Sequence, residues 1–79
     1  MNIKTYLPNG AQLSTVFIPE QGCFESCFFY NLGSDIPESE VVAHYDTKAD
    51  AVDGHIKLLT DAAPDSDLSD MVALIRKYY

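Results

Sequence analysis

Basic side chains are scarce in this chain. Five Lys and Arg face twelve Asp and Glu among 79 residues, a net charge of -7 and a sequence pI near 4.3. A surface that grips nucleic acid through its phosphates needs clustered Lys and Arg, so direct nucleic-acid binding is excluded as an expectation. Cysteine is limited to Cys23 and Cys27, whereas a disulfide framework in a small secreted protein usually needs at least about four. No apolar run approaches the roughly 18 residues of a membrane span. The opening segment Met1-Asn2-Ile3-Lys4-Thr5-Tyr6 has no signal-peptide apolar stretch. Together these absences point to a cytoplasmic protein with no membrane partner. The length allows one domain, residues 1–79. Such a chain buries only about 60% of its unfolded surface, too thin a core for a deep catalytic cleft.

What is present is a globular share of apolar residues, 47%. Residues 2–7 alternate, with Ile3, Thr5 and Leu7 on one side. Pro8-Asn9-Gly10 then signals a turn, because proline presets φ and Asn-Gly accepts positive φ. Residues 11–18 alternate again, with Leu13, Thr15 and Phe17 opposite Ser14, Val16 and Ile18, so the pair reads as a β-hairpin. Residues 23–31 put Phe24, Ser26, Phe28 and Tyr30 on one face and Cys23, Glu25, Cys27 and Phe29 on the other. Apolar groups on both faces suggest a central strand or one that meets a partner. Residues 32–39 read as a loop, and residues 40–45 as a short strand with Val41, Ala43 and Tyr45 on one side.

Thr47 followed three residues later by Asp50 predicts a capped helix start. Val52, Ile56, Leu59 and Ala63 form the expected apolar stripe, flanked by Ala51, His55 and Leu58. Gly54 costs about 1 kcal/mol against alanine inside a helix, which close approach to the sheet would explain. Pro64 stops this helix. Asp65, Ser66 and Asp67 suit the N-cap region of a second, with Leu68, Met71, Val72 and Ile75 at helical spacing and Arg76 and Lys77 at its end. The expected fold is α+β: an antiparallel sheet of three to four strands packed against two C-terminal helices.

The middle of the chain, Glu25-Ser26-Cys27-Phe28-Phe29 followed by Tyr45-Asp46-Thr47-Lys48-Ala49-Asp50-Ala51-Val52-Asp53-Gly54-His55, resembles a group of small bacteriophage-encoded proteins. These carry a Glu-Thr-x-x-Phe-like strand and a Tyr-x-Thr-x-x-Glu-Ala-x-x-Gly-His segment opening a helix. Tyr45, Thr47, Ala51, Gly54 and His55 match, while Asp50 replaces Glu and Ser26 replaces Thr. The resemblance implies a phage or prophage origin and a β-hairpin-plus-helix core, and carries no activity.

Candidate chemistry is sparse. Cys23, Cys27, His44 and His55 are metal-ligand types, but residues i and i+4 of a strand lie roughly 13 Å apart, too far for one ion or a disulfide. Asp65-Ser66-Asp67-Leu68-Ser69-Asp70 lacks the glycine and the terminal glutamate of an EF-hand loop. Glu38 with Glu40, and Asp65 with Asp67, are carboxylate pairs on loops or caps, where solvent keeps them ordinary. His55 has no credible nucleophile beside it and reads as a half-buried structural histidine bonded to a neighbouring strand. No catalytic set, metal site or cofactor motif is expected.

Charge carries more information. Ten acids, Asp35, Glu38, Glu40, Asp46, Asp50, Asp53, Asp61, Asp65, Asp67 and Asp70, fall between residues 35 and 70, opposed there only by Lys48 and Lys57. Such a field attracts basic surfaces, although a net charge of this size also serves solubility. In size and acidity the chain is similar to anti-CRISPR proteins that imitate DNA. That similarity implies a non-enzymatic phage inhibitor occupying the basic groove of a bacterial host protein such as a CRISPR effector complex. The expected contacts are Asp35, Glu38, Glu40, Asp50, Asp53, Asp61, Asp65, Asp67 and Asp70. The alternative is a homodimeric accessory protein joined through an aromatic sheet face, with Tyr78 and Tyr79 as further contact candidates.

Overall fold

A computed structural model describes every residue from Met1 to Tyr79. The first turn forms as its chemistry requires. Gly10 adopts φ of +88°, a conformation that costs glycine little. Its N–H donates to the Leu7 carbonyl at 2.9 Å, and the Asn9 side chain accepts from the Ala11 N–H at 3.0 Å. This turn joins β1 (Asn2–Tyr6) to β2 (Gln12–Ile18). β3 (Cys23–Tyr30) and β4 (Glu38–Tyr45) follow, and all neighbours pair antiparallel in the order β1-β2-β3-β4. The sheet is completed on one face by α1 (Lys48–Ala62), with α2 (Ser69–Tyr78) beside α1 near the β1 edge. The fold is α+β, with four strands and two C-terminal helices.

β4 starts earlier than the alternation suggests, because β3 runs on and pairs Tyr30 with Glu38. It also contains a bulge. Ser26 faces Ala43 and the next residue, Cys27, faces Val41, which leaves Val42 as the extra residue. The simple alternation of Val41, Ala43 and Tyr45 therefore fails. Val42 packs against the core, while Val41 is half exposed.

The core is Ile3, Leu7, Ala11, Leu13, Phe28, Val52, Leu59, Ala63 and Ile75. Leu13 and Leu59 retain no exposed surface, and complete burial of such a side chain stabilises by roughly 1.5–3 kcal/mol. The buried face of α1 is rotated from the expected stripe. Ala51, Val52, His55 and Leu59 face the sheet, and Ile56 is only partly covered. The Thr47 hydroxyl accepts from the Asp50 N–H at 3.1 Å, as an N-cap should. Gly54 lies directly beneath the Tyr45 ring, where an added Cβ would collide with the ring carbons and hydroxyl.

α2 is held more lightly. Ile75 is its one buried residue. No side chain caps its first turn at Leu68; instead the Asp67 carboxylate accepts from the Ser69 hydroxyl at 2.5 Å and the Ser69 N–H at 3.0 Å. No helix is long and apolar enough to cross a membrane.

Candidate functional site

Antiparallel alternation sends three connections to the same end of the molecule. The β1–β2 turn at Asn9–Ala11 borders Tyr30–Gly33 of the β3–β4 connection on one side. On its other side Pro8 and Asn9 border Ala62–Ser66, where α1 passes into α2. Two acidic segments far apart in sequence thereby become neighbours. Residues 31–40 contribute Asp35, Glu38 and Glu40, and residues 61–70 contribute Asp61, Asp65, Asp67 and Asp70. All seven are exposed, and neither segment contains Lys, Arg or His.

The remaining acids are Glu20, Glu25, Asp46, Asp50 and Asp53, five in number, and the chain has five Lys and Arg. Twelve minus five leaves seven carboxylates, so the whole net charge of -7 resides at this end while the rest of the molecule is balanced. Asp67 is held below the usual carboxylate range, chiefly by the Ser69 hydroxyl and next by the Ser69 N–H. Glu38 accepts from the Asn31 side-chain amide at 3.4 Å. The others have no cationic partner and stand in solvent, available to a cation that arrives from outside.

Asp50 and Asp53 do not belong to this group. They sit in the first turns of α1, toward the opposite end, and Asp53 pairs with Arg76 at 3.0 Å. Nine acids grouped along the sequence are thus seven at one end and two elsewhere, because α1 runs the length of the sheet between them.

Beneath the helix lies a continuous hydrogen-bonded chain. The His55 ring is fully buried, more deeply than the expected half-buried position. Its Nε2 meets the Thr5 hydroxyl at 2.9 Å, and its Nδ1 meets the Thr15 hydroxyl at 2.7 Å. Thr15 continues to the Ser26 hydroxyl at 2.6 Å, and Ser26 donates to the Tyr45 oxygen at 3.2 Å. With Ser26 donating to Tyr45, Thr15 donates to Ser26, and Thr15 then accepts from Nδ1–H. Nε2 is left to accept from Thr5. The neutral ring is the Nδ1–H tautomer.

One helix residue is tied to all four strands by this chain. Burial lowers the His55 pKa to about 4, so the ring is neutral at physiological pH. Every buried polar side-chain atom in the protein has a partner. Ser26, Tyr45, Gly54 and His55, separated along the sequence by up to 29 residues, are one packed unit: Gly54 admits the Tyr45 ring and Tyr45 ends the chain that His55 organises. With no solvent access to the imidazole, its role is structural.

The remaining chemistry-bearing residues stay apart. His44 lies on the helix-free face, where Nε2 is 3.1 Å from Glu25. Cys23 and Cys27 are free, half-buried thiols on that face. Burial pushes the Cys27 thiol up, with smaller contributions from the Glu25 and Glu40 carboxylates. No three His, Cys, Asp or Glu side chains converge as metal ligands. The aromatic residues of β3 are also distributed differently from a docking face. Phe24, Phe28 and Tyr30 lie on the helix side, with Phe24 against Phe17 at 5.0 Å between ring centres and Phe28 stacked on Tyr30. The helix-free face carries only Tyr6 and Phe29 as aromatics among Val16, Ile18 and the two thiols.

No protein-family model, curated protein or solved structure matches this chain.

Proposed function

We propose that the protein is a non-enzymatic, charge-directed inhibitor, encoded by a phage, that sets its acidic end into the basic groove of a nucleic-acid-binding host defence protein of the CRISPR-effector kind. The reading is carried by the segregation of charge: seven exposed carboxylates without a cation among them, on an otherwise neutral molecule. Carboxylates held on two neighbouring segments, residues 31–40 and 61–70, stand in for phosphates and compete for the lysines and arginines that bind nucleic acid. The likeness to phage-encoded proteins around Tyr45–His55 supports the source.

The contact set narrows to Asp35, Glu38, Glu40, Asp61, Asp65, Asp67 and Asp70. The test is competition. Purified protein is added to a CRISPR effector complex bound to labelled duplex DNA, at low and at high salt. Displacement should fall steeply as salt rises. It should be lost when Asp61, Asp65, Asp67 and Asp70 are changed together to Asn, and retained when Asp50 and Asp53 are. Equal displacement at both salt concentrations, or loss through Asp50 and Asp53 instead, refutes the reading.

A further inference from the structure

β1 is one outer strand of the sheet, and its hydrogen-bonding pattern shows which main-chain groups it leaves open. The Leu7 N–H donates to Ala11 and the Met1 carbonyl accepts from Phe17, with Ile3 facing Thr15 and Thr5 facing Leu13 between them. In an antiparallel ladder alternate residues carry the bonds. Residues 1, 3, 5 and 7 therefore bond to β2, and the N–H and C=O of Asn2, Lys4 and Tyr6 point away from the sheet. The Asn2 carbonyl accepts from the Tyr79 hydroxyl at 3.2 Å. Lys4 and Tyr6 remain open.

Alongside this edge runs an apolar groove of about 410 Å³, floored by β1 and walled by Met71, Leu74, Ile75 and Tyr78 of α2. Leu74 and Tyr78 are 54% and 67% exposed on its wall. An open strand edge beside an apolar trough is the arrangement that accepts an added strand. A strand laid there turns alternate side chains into the groove and the others toward the helix-free face, where they meet Lys4 and Tyr6.

Charge selects the occupant. Lys4 is exposed and without an ion-pair partner, and the Lys77 ammonium stands over the Tyr78 ring at 5.5 Å. A second copy joined β1 to β1 and centred on Lys4 would place the two Lys4 side chains opposite each other, which is unfavourable. We propose that the β1 edge is a second docking site, taking an extended segment of a partner protein that alternates apolar residues, seated against α2, with acidic residues opposite Lys4.

Two labelled heptapeptides serve as probes, one alternating valine with aspartate and the other valine with lysine, with affinity read by fluorescence anisotropy and sedimentation run in parallel. The aspartate peptide should bind at least tenfold more tightly than the lysine peptide. Lys4→Glu should invert that preference. Tyr6→Pro removes an open N–H without touching the bonds to β2, a position where an edge strand tolerates proline, and should abolish binding while circular dichroism remains native. Leu74→Lys, at an exposed position, should weaken the aspartate peptide. No binding of either peptide to the folded protein overturns the proposal. So does unchanged binding to a folded Tyr6→Pro variant, or a dimer that Tyr6→Pro dissolves, which would assign the edge to a second copy.

Discussion

Acid should loosen this protein chiefly at His55. The unfolded His55 ring has an ordinary pKa of 6.5, and in the folded protein burial brings it to about 4. Between those values the unfolded chain binds a proton that the folded chain refuses, so the His55 contribution is complete above about pH 6.5 and is lost progressively down to about pH 4. With about 1.36 kcal/mol per pKa unit, the loss relative to neutral pH is about 2 kcal/mol at pH 5 and about 3 kcal/mol at pH 4. A domain of this length has a total stability of about 4–12 kcal/mol, so the effect is large. It is isolated by comparing the protein with His55→Gln in urea denaturation at pH 7, 6, 5 and 4. Glutamine costs stability at every pH, but it cannot titrate, and all carboxylates are common to both proteins. The stability difference should therefore shrink as pH falls, by about 2–3 kcal/mol across the series. A difference that stays constant would show that His55 titrates alike in the folded and unfolded chain, and would refute its desolvated, neutral state.

The same chain fixes a tautomer: nitrogen chemical shifts should show His55 protonated on Nδ1 at pH 7, and an Nε2–H ring would reverse the direction assigned to the hydroxyls. Gly54→Ala should destabilise by about 1–3 kcal/mol by overpacking against Tyr45, despite alanine's helix propensity; combining it with Tyr45→Leu should cost less than the sum of the single changes in thermal denaturation. Thr47→Ala removes the cap of α1 and should cost about 1 kcal/mol by the same measurement. Because α2 buries only Ile75 fully and otherwise meets the core through partly covered Met71, its amides should exchange with deuterium before those of α1.

The elements were largely legible because each carries local punctuation: Asn9-Gly10 between alternating strands, Thr47 with Asp50 at a helix start, Pro64 after its end. Gly54 even announced the close approach that Tyr45 makes. The β4 bulge was not legible, since nothing in Glu40-Val41-Val42-Ala43 marks which valine is the extra one; β3 decides by pairing Cys27 with Val41. His55 was recognisable as structural, but its partners Thr5 and Thr15 lie 50 and 40 residues away and depend on strand register. The acidic end had the same limit. Its carboxylates were visible as a regional excess, but only the up-and-down path of the chain joins Asp35–Glu40 to Asp61–Asp70 and sends Asp50 and Asp53 elsewhere.

The bulge has a consequence for self-assembly. A sheet with two free margins can polymerise if the margins of successive copies mate. Here they are poorly matched templates. The β4 margin is kinked by Val42, which breaks its regular alternation of donors and acceptors, and its leading half bears Glu38 and Glu40. The β1 margin has no bulge but is bordered by α2, which walls the groove beside it. The irregularity in β4 thus acts as a guard against fibre growth. Straightening it by deleting Val42 would create a smooth, half-apolar margin and a chain prone to stack on itself.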